Sequence, residues 1–82
     1  MSDTINAWIE QQLTEHLNAT VVRVGGDGYH VEVTVVSEQF DGLRAVKKQQ
    51  LVYAALNEKI TDGTIHALLM KTLTPAEWQA QN

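Results

Sequence analysis

Between Asp3 and Ala19 the apolar residues Ile5, Trp8, Ile9, Leu13 and Leu17 recur three or four positions apart. That spacing lines one face of a helix. Ser2, Asp3 or Thr4 can cap it, with Asp3 suited to the positive end of the helix dipole, and Asn18 can end it. The pattern then changes period. "TVVRV" is a short β-branched strand, and "GGDG", Gly25 to Gly28, reads as a tight turn because glycine tolerates positive φ. "YHVEVTVV" alternates, with Tyr29, Val31, Val33 and Val35 on one face and His30, Glu32 and Thr34 on the other. Residues 21–36 are therefore expected to form a hairpin with one buried face.

After "SEQFDG", where Ser37 can cap a short turn and Gly42 breaks the pattern, "LRAVKKQQLVYAALNEKI" returns to the helical period. Its expected core face is Leu43, Val46, Tyr53, Leu56 and Ile60, widened by Val52 and Ala55. Gly63 in "TDG" is the expected stop. "TIHALLMKTL" then reads as a buried strand. "TPAEW" carries a capping box, with Thr74 as N-cap, Pro75 in the first helical position and Glu77 reaching back. Trp78 is expected to dock this last turn on the sheet or a neighbouring helix.

The order is α-β-β-α-β-α. A hairpin joins the first two strands. A long helical crossover separates the second from the third, which implies a parallel pair with a right-handed connection. The expected fold class is α+β, a mixed three-stranded sheet with an antiparallel hairpin and one parallel strand, its helices packed on one face.

This topology bears on the histidines. His30 is the second residue of the second strand and His66 lies at the start of the third. In parallel neighbours those two starts share one edge of the sheet, so residues distant in sequence come close. His30 points to the polar face by alternation. The third strand is apolar on both faces, so the pattern does not choose a face for His66. One reading is a pair of ligands completed by another chain, since two imidazoles are too few for a closed zinc site. The other is two unrelated edge histidines. His16, on the first helix, has no such companion.

The 82-residue length suits one domain spanning residues 1–82, with a small core and no room for a deep enzyme cleft. With 44% hydrophobic and 20% charged residues the chain is globular in composition, and no apolar run approaches a membrane span. The first residues lack the order of a signal peptide, and there is no cysteine, so a cytoplasmic setting is expected. The net charge of −4 disfavours a general affinity for nucleic acid or anionic membranes.

A local basic patch is still available. Arg44, Lys47 and Lys48 fall three and four apart on the second helix, with Lys71 on the third strand, and such a patch can contact phosphates. Against a nucleic-acid role, "FDGLRAVKK" lacks the G-x-x-G loop by which KH domains clamp a backbone. "GGDG" is followed by neither Lys-Ser/Thr nor a helix, so it is no phosphate loop. Nothing gathers Glu32 and Glu38 about a pocket, and there is no nucleophile–base set, so no enzyme activity is expected.

"FDGLRAVKKQQLVYAAL" followed by "IHALLMKTLTPAEW" resembles the BolA-like family, closest to its IbaG branch. The likeness runs from about "GGDGYH" to "TPAEW", most of the chain. It implies a class II KH-like fold, in agreement with the topology above. It also implies partnership with a monothiol glutaredoxin, whose cysteine and a glutathione hold a 2Fe–2S cluster to which the BolA-like chain adds histidine ligation. The family's "HA" histidine maps onto His66, and its second ligand, a His or Cys after the first hairpin turn, onto His30. Links to DNA binding, iron homeostasis and stress response also come with the family. Neutral imidazole suits iron, and a chain without cysteine needs a partner to hold such a cluster. The free protein is expected to be a monomer or weak dimer.

Overall fold

The computed structural model describes the backbone of residues 2–26 and 30–81, with side chains from Ile5 onward. The expected caps Ser2, Asp3 and Thr4, the hairpin tip Asp27–Gly28 and the core position assigned to Tyr29 lie outside the described side chains. The elements are α1 (Ser2–Leu17), β1 (Val21–Gly26), β2 (His30–Val36), a 3-10 turn (Glu38–Phe40), α2 (Ala45–Thr61), β3 (Ala67–Leu73) and α3 (Pro75–Gln81). Their order and the mixed sheet are those expected from the pattern. β2 is central, antiparallel to β1 and parallel to β3. Gly25 and Gly26, expected in the turn, extend the β1 ladder instead, opposite Glu32 and Val31.

One sheet face carries the core. Ile9, Leu13 and Leu17 of α1 meet Val31, Val33 and Val35 of β2, and Val52, Ala55 and Leu56 of α2 close the cluster. Cross-strand partners share a face, so Val22 and Val24 of β1 and Leu68 and Met70 of β3 join it. Asn18, at φ 51, ends α1 in the left-handed conformation that short polar side chains tolerate.

Two assignments of core residues are corrected. Val46 and Tyr53 of α2 are 64% and 43% exposed. The stripe that points inward runs through Leu51, Val52, Ala55 and Leu56. Val46 and Tyr53 lie near one line of the helix, but that line sits roughly a third of a turn from Val52. Phe40, which the pattern left in a turn, is fully buried because the 3-10 turn carries it into the core.

Ser37 is the one buried polar side chain among the described residues. Its hydroxyl donates to the Leu17 carbonyl at 2.6 Å and accepts from the Gln39 amide at 3.1 Å. Its own amide donates to the Leu73 carbonyl at 3.0 Å. It thus ties the end of α1, the 3-10 turn and the end of β3 together.

The capping box forms. The Thr74 amide donates to Glu77 Oε1 at 2.8 Å and the Glu77 amide to Thr74 Oγ1 at 3.2 Å. Whereas α1 and α2 pack on the core face, α3 sends Trp78 to the other one. Its ring lies 5.1 Å from the guanidinium carbon of Arg23, which alternates with core-facing Val22 and Val24. Val36, on that same far face by alternation, is fully buried at this end of the sheet.

Ser37→Ala removes the Leu17 and Gln39 partners together in a site closed to water. It is expected to lower unfolding stability by about 1–3 kcal/mol, read from the urea midpoint with the slope unchanged.

Candidate metal centre

His30 is the first residue of β2, and the hairpin sets its place. Gly26 has φ +101, and a Cβ there would overlap the His30 carbonyl oxygen. Only glycine lets the two backbones approach so closely at this positive φ. The imidazole of His30 is exposed on the face turned away from α1 and α2.

His66 is placed by the end of α2. The Gly63 amide bonds back to the Ile60 carbonyl at 3.3 Å with φ +84, a left-handed stop. Asp62 Oδ1 accepts from the Thr64 amide at 2.8 Å, which fixes the next turn. The Thr64 hydroxyl and then its amide, with Lys59 nearby, hold the Asp62 carboxyl below its ordinary value. The Ile65 amide then donates to the Lys59 carbonyl at 3.0 Å, and the Ile65 side chain enters the core at 4% exposure.

This corrects the strand boundary. β3 begins at Ala67, and "TIH" belongs to the approach. In a regular strand His66 would share the face of Leu68, the core face. With Ile65 taking the buried position, the alternation is interrupted and His66 is left exposed.

The parallel register then sets the two histidines side by side. His30 is opposite Ala67, so His66 precedes its direct partner by one residue. From strand spacing and rise, the two Cα atoms are about 6 Å apart. Among the described residues no group of three or more His, Cys, Asp or Glu side chains could hold a metal. The edge therefore offers two imidazoles, too few by themselves to close a metal site. That donor set fits the histidine half of a mixed cluster, where two imidazoles replace thiolates on one iron.

The remaining candidates are spread over the molecule. Arg44 and Lys47 are exposed at the start of α2, but Lys48 is half-buried and acts with the Thr74 amide to lower the Glu77 carboxyl. Lys71 pairs with Thr34, so it projects from the face away from α2. The expected proximity of Lys71 to the helical patch is not found, because strand alternation sends it to the other side. His16 bonds Gln12 at 3.1 Å on the surface of α1. Glu32 lies on β2 and Glu38 on the 3-10 turn, and they do not converge.

A βαβ unit with an appended hairpin strand and two outer helices defines a small α+β domain. The chain belongs to the BolA-like family, whose model matches residues 6–77. It is 49% identical over 73 residues to the acid stress protein IbaG of Escherichia coli K12, covering 89% of this chain and 87% of that one. BolA1 from Mus musculus superposes with TM-score 0.83 at 31% identity, covering 94% of this chain and 70% of that one. The BolA domain of SufE1 from Arabidopsis thaliana superposes with TM-score 0.81 at 27% identity, covering 89% and 94%. No helix among the described residues is long and apolar enough to cross a membrane.

The turn that presents His66 is expected to depend on acid. Asp62 has a folded pKa below its ordinary 3.8, so the contribution of its bond is present above that value. It is lost as pH falls through the lowered folded value. The Thr64 amide NMR shift should follow this titration with a midpoint below 3.8 while resonances of Val33 and Val35 stay put.

Proposed function

We propose that this chain is a non-enzymatic partner of a monothiol glutaredoxin and supplies His66 and His30 as ligands to a 2Fe–2S cluster. The observation that carries this reading is that the parallel β2–β3 register brings the backbones of two exposed histidines to one edge of the sheet. The chain has no cysteine, so its share of the ligation is not thiolate. The glutaredoxin cysteine and a glutathione complete the set. When bound, a cluster with imidazole in place of thiolate has a raised reduction potential. That suits transfer or sensing of iron in the cytoplasm better than storage in an all-thiolate site.

The rival role, a DNA-binding regulator using Arg44, Lys47, Lys48 and Lys71, receives no support from the placement of these residues. Lys48 is half-buried and Lys71 is on the far face. The two charges that remain together release few counterions.

Two outcomes test the proposal. The isolated protein, reconstituted with iron and sulfide, is expected to hold no stable 2Fe–2S cluster, because two imidazoles leave the irons short of ligands. A stoichiometric cluster on the monomer by visible absorption would contradict it.

Co-purified with a monothiol glutaredoxin and glutathione, the protein is expected to give a cluster circular dichroism spectrum unlike that of the glutaredoxin alone. His66→Ala should move that spectrum toward all-thiolate ligation and lower the potential. His30→Ala should do so less, because His30 adjoins the glycine-rich hairpin whereas His66 is held by the bonded turn at the end of α2. Both variants should keep their far-UV spectrum. An unfolded His66→Ala with an unchanged cluster in its folded fraction would mark the histidine as structural.

A further inference from the structure

The sheet face turned away from α1 and α2 carries a second arrangement, independent of the histidine edge. The register aligns Arg23 of β1 with Thr34 of β2, and Thr34 with Lys71 of β3. The three residues form one row across the sheet, all on that face. Two cations thus flank a hydroxyl, their Cα atoms about 10 Å apart from strand spacing alone.

The row is partly preorganised. The Arg23 guanidinium carbon lies 5.1 Å from the centroid of the Trp78 ring, a cation–π contact that restricts the side chain. The guanidinium carries five N–H donors, so this contact does not use up its capacity for an acceptor. Among the described residues the ion pair is Lys59 with Asp62, at 3.9 Å, far from this row. Thr34 and Lys71 border a shallow depression of roughly 360 Å³ with Glu32, Leu69 and Met70.

Of the two nearby carboxylates, one borders the depression itself. Glu32 stands in the next row, between Gly25 and Leu69. Glu77, beside Trp78, is engaged by the Thr74 amide. Leu69, 59% exposed in the row of Glu32, offers an apolar contact next to the cations.

We infer that Arg23, Thr34 and Lys71 form a binding site for a single phosphate group on a small molecule, the body of which lies along Leu69. A phosphate dianion accepts from the guanidinium edge, the threonine hydroxyl and the ammonium together, and charge-assisted bonds of this kind are the stronger ones. One phosphate satisfies the row. An extended backbone of phosphates would meet Glu32 on one side and Trp78 on the other.

The test is an NMR titration of the isotope-labelled chain with inorganic phosphate, against sodium chloride at matched ionic strength. Saturable shifts are expected at the amides of Arg23, Thr34 and Lys71 and at the Trp78 indole, with phosphate and not with chloride. Lys71→Gln and Thr34→Val, each checked for folding by far-UV circular dichroism, should weaken Kd about tenfold. Equal shifts with chloride would overturn the site, as would phosphate binding undiminished in both variants. So would a DNA duplex that shifts these amides where phosphate does not, since that would make the row a nucleic-acid contact.

Discussion

The parallel pairing of β2 with β3 is the constraint from which the rest follows. Parallel neighbours cannot be joined by a tight turn, so the chain must cross over, and α2 is that crossover. The crossover lays a helix on the sheet and creates the buried layer that Val52, Ala55 and Leu56 fill against Val31, Val33 and Val35. It also brings the starts of two strands to one edge. His30 and His66 are neighbours for the same reason that the core exists. Ser37 anchors the opposite end of this pair, where its amide bonds the Leu73 carbonyl and its hydroxyl the end of α1.

Within that frame the loop after α2 decides what His66 can do. A strand continued back from Ala67 would have turned His66 toward the core with Leu68. The backbone bond from Ile65 to Lys59, the Asp62–Thr64 bond and the left-handed Gly63 send Ile65 inward instead. An imidazole in that core position would have to shed its water with few polar partners at hand, which is costly. At the edge it stays exposed to solvent. The histidine edge and the cationic row therefore lie on surfaces that the fold leaves open, while the polar group it does bury, Ser37, is fully bonded.

The helical layer buries the core against one face of the sheet, and the far face and the strand starts are left exposed. Lys48 shows how local electrostatics refine this arrangement. A residue that the spacing groups with Arg44 and Lys47 is half-buried, and its charge helps the Thr74 amide keep the Glu77 carboxyl low, which leaves a thinner positive patch than the sequence suggests.

Much of this was legible in the chain. The three-to-four spacing of Ile9, Leu13 and Leu17, the alternation in β2 and the Thr74–Glu77 box are local patterns, and local patterns fix element order. From order alone came the parallel pair, and from the pair the closeness of His30 and His66. What the sequence left open was orientation. Nothing near Val46 or Tyr53 says that Leu51 and Val52 will take the inward stripe of α2, because apolar residues compete for a core of limited volume and only assembly decides the winners. Phe40 entered that core from a segment too short to show a period. His66 turned outward, and Lys71 was parted from the basic helix, because backbone bonds to Lys59 and pairing with Thr34 join residues that the sequence does not place together.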